Sequence, residues 1–164
     1  MLSFRSELKK TDRDIVREII VSTGFFEGAP DETDIAVELV DTALKDGCDA
    51  SGYYFLFAEE NGVVLAYICF GPIPCTNASF DIYWLAARKT VQRRGIGRQL
   101  MQKALRTIRE KGGRRVYLQT AGRPQYHPTH LFYQACGFTL ESRLKDYYNI
   151  GDDCLTFSYE IKKD

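Results

Sequence analysis

Gln92-Arg93-Arg94-Gly95-Ile96-Gly97 is the stretch that decides how this chain is read. It lies between a strand-like apolar run, Phe80 to Ala87, and an amphipathic helical run from about Arg98 to the stop at Gly112-Gly113. Two glycines one residue apart let the backbone turn tightly and present successive N–H groups. The start of the helix adds the positive end of its dipole, and the combination suits a pyrophosphate. The third glycine of a dinucleotide fingerprint is missing, because position 100 is Leu, and no Gly-Lys-Ser/Thr ending marks a P-loop. Gln92 ahead of the pair Arg93-Arg94 narrows the reading further.

Working outward, Ser3 to Leu8 alternates weakly as a first strand, and Thr11 or Asp12 caps a helix carrying Ile15, Val16, Ile19 and Ile20. A second helix follows Gly28-Ala29-Pro30, with Ile35, Leu39, Val40, Ala43 and Leu44 as its stripe and Gly47 as its stop. Tyr54 to Glu60 and Val63 to Phe70 form a hairpin across Asn61-Gly62. After the central strand and helix, Val116 to Thr120 is a short strand and Thr129 to Ala135 a short helix. Phe138 to Leu144 and Cys154 to Ile161 close the chain as strands. The order β-α-α-β-β-β-α-β-α-β-β predicts a mixed sheet flanked by helices, with a right-handed βαβ unit at 80–87, 98–111 and 116–120. No repeat or Pro/Gly/Ser linker interrupts it, so 1–164 is expected to be one domain.

With 45% apolar and 13% aromatic residues the chain can bury a core. No apolar run approaches the roughly 20 residues of a membrane helix, and Met1 to Arg5 does not open a signal peptide. The expectation is a cytoplasmic protein with no membrane partner. Five cysteines without a Cys-x-x-Cys pair read as reduced, mostly buried thiols. The 22 basic and 22 acidic residues cancel, which argues against a general nucleic-acid binder, but they are unevenly spread. Arg88 to Arg115 holds 11 basic residues against one acid, Glu110, whereas Met1 to Ala87 holds 6 against 15. Such a split suits an anionic ligand on one side and a cationic one on the other, although a solvated basic helix gives the same count.

The glycine motif resembles the Gln/Arg-x-x-Gly-x-Gly/Ala hallmark of the GNAT superfamily of acyl-CoA N-acetyltransferases. Phe132-Tyr133-Gln134-Ala135-Cys136-Gly137-Phe138 is similar to that family's late signature. The resemblance covers nearly the whole chain. It implies an α/β fold with a mixed, mostly antiparallel central sheet of about seven strands flanked by four helices. It implies acetyl-CoA as cosubstrate, no metal, and a primary amine, on a small molecule or a protein, as acceptor. By the family pattern, backbone N–H groups of Gln92, Arg93, Arg94, Gly95, Ile96, Gly97 and Arg98 cradle the pyrophosphate. Main chain at Leu85, Ala86 and Ala87 pairs with the pantetheine arm. The N–H of Leu85 polarises the thioester carbonyl, and Tyr133 protonates the departing thiolate. Many members carry Asn seven residues before that tyrosine; Tyr126 stands there in this chain, which alters the usual side-chain contact with pantetheine.

The remaining candidates carry competing readings. Asp81, 14 residues before Gly95, is placed to accept a proton from the attacking amine directly or through water; otherwise it is only the exposed start of a strand. His127 and His130 lack a third ligand at metal spacing and read as surface or cap residues, with a general base as the lesser alternative. Phe26 and Glu27, with Tyr83, are candidates for binding the acceptor ammonium, since aromatic faces and carboxylates hold cations. Asp152-Asp153 reads as a strand-connecting turn. Three functions compete: acetyl transfer to an amine by direct attack in a ternary complex, a non-catalytic acyl-CoA-binding regulatory module, and nucleic-acid binding by 88–115. The intact Tyr133 favours the first. A steep fall of affinity with salt is the mark of the third. A homodimer is compatible with all of these.

Overall fold

The computed structural model describes residues 1–25 and 30–163. Seven strands, β1 (Leu2–Arg5), β2 (Tyr54–Glu60), β3 (Val63–Pro72), β4 (Ser79–Ala87), β5 (Arg115–Ala121), β6 (Thr139–Asn149) and β7 (Asp152–Glu160), form one sheet in the order β1-β2-β3-β4-β5-β7-β6. The ladders are antiparallel between β1 and β2, β2 and β3, β5 and β7, and β6 and β7, while β4 and β5 run parallel. Among the described residues five helices accompany them: α1 (Asp12–Thr23), α2 (Pro30–Asp46), α3 (Cys48–Ser51), α4 (Ile96–Glu110) and α5 (His127–Ala135). The fold is therefore the mixed, mostly antiparallel α/β arrangement expected, with one helix more. That extra helix, α3, is a single turn closed by Gly52 at φ 75°. No helix among the described residues is long and apolar enough to cross a membrane.

The chain divides into two compact units, residues 1–71 with 83–104 and residues 72–82 with 105–164. In the first, Asn61 and Gly62 take φ 52° and 77°, the left-handed pair that a two-residue hairpin turn requires. The hairpin it closes lays Phe55, Phe57, Tyr67 and Cys69 into a core with Val16, Ile19 and Ile20 of α1 and Ala36, Val40 and Ala43 of α2. β1 is shorter than expected, ending at Arg5, and the reason lies in that residue's side chain. Arg5 forks onto Asp12 at 2.8 and 2.9 Å and reaches Glu59 at 2.6 Å. Asp12 is fully buried and also accepts the N–H of Lys9 at 2.7 Å. Thr11 makes no side-chain cap, so the start of α1 is fixed by this ion pair.

In the second unit, β5 and β7 supply Val116, Leu118, Leu155 and Phe157 to the core. Against them lies the aromatic underside of α5, with Tyr133 at 5.8 Å from Phe157 and 6.1 Å from Phe138. β6 runs on to Asn149, five residues past the expected end, and Gly151 makes the turn. Asp152 and Asp153 consequently open β7 and do not form the connection themselves. Arg123 pairs with Asp152 at 3.3 Å, and Arg143 pairs with Asp153 at 2.8 Å. All five cysteines are free, but only Cys69 and Cys154 are buried; Cys75 is exposed, which corrects the expectation that most would be inside.

Candidate functional site

The first unit holds the glycine motif. β4 ends with Leu85 and Ala87 partly exposed and Ala86 buried in the core. Arg88 then fixes where the chain leaves the strand. Its N–H donates to the Leu65 carbonyl at 2.9 Å, its Nε to Val64 at 2.8 Å, and its guanidinium meets Glu18 at 3.3 Å. One short turn, Lys89–Val91, leads to Gln92, whose side-chain amide donates to the Ala87 carbonyl at 3.4 Å. Arg93 and Gly95 both adopt the left-handed conformation, at φ 69° and 77°. Left-handed residues alternating with others are the backbone pattern by which successive amides can line an anion-binding concavity. A β-carbon at Gly95 would meet nothing within 4 Å, so conformation and not space explains glycine there. The helix begins at once: Gln99 donates to the Gly95 carbonyl at 3.2 Å, and Ile96 is buried as the anchor.

Side chains of the motif divide into two kinds. Arg94 forks onto Glu60, with contacts of 3.1, 3.1 and 3.2 Å. Arg93 and Arg98 are exposed and make no ion pair among the described residues. Tyr83 is half-buried, with the ring of Tyr53 edge-on at 5.4 Å. Phe26 and Glu27, expected at the acceptor wall, lie outside the described residues. Sequence reasoning missed Glu60, although its place beside Asn61-Gly62 at a hairpin tip and an arginine-rich motif elsewhere were available as signals.

The second unit holds Asp81 and Tyr133. The parallel ladder pairs Ser79, Phe80 and Asp81 with Arg115, Val116 and Tyr117. Asp81 is half-buried, makes no hydrogen bond or ion pair among the described residues, and burial pushes its carboxyl above the ordinary range. Tyr133 packs edge-on against Phe132 and tilted against Phe138 and Phe157. Burial, with smaller contributions from Cys136 and Tyr126, pushes its phenol up to about 12, so it stays protonated at any physiological pH. Tyr126 ends a short 3₁₀ turn and lies under the Arg123 guanidinium at 5.3 Å. His130 bonds through Nε2 to the Ala121 carbonyl at 2.8 Å, which ties α5 to the end of β5 and supports the structural reading of that histidine.

A family model described as the acetyltransferase (GNAT) family matches residues 17–138. Among solved structures, a candidate GNAT-family acetyltransferase of Desulfovibrio desulfuricans is 39% identical, with a TM-score of 0.94 over 99% of this chain and 100% of its own. An aminoglycoside 6′-N-acetyltransferase complexed with coenzyme A is 14% identical, with a TM-score of 0.76 over 100% and 98%. A candidate acetyltransferase of Salmonella typhimurium, with acetyl-CoA as its cofactor, is 18% identical with a TM-score of 0.76 over 100% and 96%. No curated protein matches the sequence.

Proposed function

Because this chain belongs to the GNAT acetyltransferase family, we propose that it transfers the acetyl group of acetyl-CoA to a primary amine by direct attack, without an acyl-enzyme. The observation that carries the reading is the turn from Gln92 to Gly97. Two left-handed residues, a helix start and two arginines with no ion pair among the described residues, Arg93 and Arg98, fit the pyrophosphate of a coenzyme A. Neighbours of the same fold that hold coenzyme A or acetyl-CoA support that fit. When bound, the thioester supplies an activated acyl carbon with a thiolate leaving group.

The chain's own groups then have distinct tasks. Backbone N–H groups from Gln92 to Arg98 bind the phosphates, and the main chain of Leu85, Ala86 and Ala87 holds the pantetheine arm as an added strand. The N–H of Leu85 donates to the carbonyl oxygen as negative charge develops on it. The amine nitrogen forms the new C–N bond as the C–S bond breaks. Its surplus proton goes to Asp81 or to a water that Asp81 holds, and the thiolate takes the proton of Tyr133. A carboxylate raised by burial, with no ion pair among the described residues, is suited to that task, since its proton affinity is closer to neutral than that of an exposed aspartate. The phenol is a matched donor, because an environment that raises it also raises a thiolate released beside it. The acidic composition of residues 1–87 supports a cationic acceptor, with Phe26, Glu27 and Tyr83 as its contacts.

The test is consumption of acetyl-CoA across a panel of amines, with mass spectrometry of the products. A gain of one acetyl group on a cationic amine is expected. No turnover with any amine, while coenzyme A still binds, would leave the non-catalytic module as the function.

A further inference from the structure

Glu60 is the last residue of β2, one step before the hairpin turn, and its side chain is 29% exposed. Both of its carboxylate oxygens accept from Arg94, 34 residues further along the chain. Hydrogen bonding from Arg94 holds the Glu60 carboxyl below its ordinary range. Arg94 sits between the two left-handed residues, Arg93 and Gly95, so whatever fixes its side chain also fixes the turn around it. An exposed ion pair contributes little to stability. A forked one does restrict direction, because both guanidinium nitrogens must face the carboxylate.

We propose that Glu60 is a positioning residue for the pyrophosphate turn: it holds Arg94 away from the phosphates and keeps the backbone nest formed before the ligand arrives. The proposal rests on the reading of that turn as the coenzyme site. It divides the arginines of the motif by role. Arg93 and Arg98, with no ion pair among the described residues, are left to neutralise phosphate, whereas the charge of Arg94 is already matched and serves as an anchor. Affinity is then gained by preorganisation, because less ordering is left for the ligand to drive.

The experiment uses the full chain with coenzyme A in calorimetry and acetyl-CoA in steady-state kinetics. Five proteins are compared: the parent, Glu60→Gln, Glu60→Arg, Arg94→Glu, and the double exchange Glu60→Arg with Arg94→Glu. Glu60→Gln is expected to raise Kd and the KM for acetyl-CoA about two- to fivefold, the scale of one exposed ion pair, with kcat at saturation unchanged. The double exchange is expected to recover most of the affinity that either charge reversal loses, since it restores the clamp in mirror image. A double exchange as weak as Arg94→Glu alone would mean that Arg94 touches phosphate directly, and would overturn the proposal. So would parental affinity in Glu60→Gln. A parent protein that binds no coenzyme A would overturn the reading of the turn itself, an outcome distinct from both.

Discussion

Tyr133→Phe separates chemistry from stability more cleanly than any other single change. The hydroxyl makes no hydrogen bond among the described residues, and the ring contacts to Phe132, Phe138 and Phe157 are all retained by phenylalanine. Removing an oxygen without breaking a bond or opening a cavity is expected to change stability by less than about 0.5 kcal/mol. At roughly 2–4 °C per kcal/mol for a chain of this size, Tm should move by no more than about 2 °C. General-acid help is worth about 10²–10⁴-fold, or about 2.7–5.4 kcal/mol of barrier at 1.36 kcal/mol per decade. The assay is steady-state kinetics with saturating acceptor, beside a thermal melt of the same preparations. kcat should fall by that factor, while KM for acetyl-CoA stays within about twofold, because the lost interaction acts in the transition state. Undiminished kcat, with the chemical step shown to be rate-limiting, would refute the assignment and transfer the role to Tyr126.

Three further outcomes follow from other parts of the structure. Asp81→Asn should move the pH of half-maximal rate upward, because the amine must then lose its proton unaided; an overlaying profile would remove Asp81 from the mechanism. The same variant should be more stable than the parent at neutral pH. A carboxyl raised by burial binds its proton more tightly when folded, so the penalty it imposes is present above its folded pKa and vanishes below the ordinary range near 3.9; melts across pH check the sign. Arg5→Ala should destabilise by about 3–5 kcal/mol, measured by denaturant unfolding, since it strands the fully buried Asp12 without its partner.

What was legible in the sequence depended on how local its cause is. The hairpin at Asn61-Gly62 was readable because few residue pairs accept two positive φ angles in a row. α4 was readable because its apolar positions repeat with helical spacing and its exit is marked by Gly112 at φ 83°. α3 was not, since four residues contain no period. The length of β6 was hidden for a similar reason: it is an edge strand with almost every side chain exposed, so no apolar alternation marks its second half. Long-range pairs were the larger loss. Asp12 looked like a cap and is instead the partner of Arg5, and Glu60 looked like a hairpin end and is the partner of Arg94. Local spacing carries no information about either. The turn proposed to hold the cofactor was the reverse case, since its glycines, its arginines and the helix after it lie within one short stretch.

The central claim is that the Gln92–Gly97 turn is a coenzyme A site, and calorimetric titration of coenzyme A into the parent and into Gly97→Glu tests it most directly. Gly97 stands in the first turn of α4, where a carboxylate side chain would bring bulk and negative charge to the phosphates. The parent should bind one equivalent, and Gly97→Glu should bind none while keeping a cooperative melt and an unchanged circular-dichroism spectrum. Equal affinity in the two proteins would contradict the account.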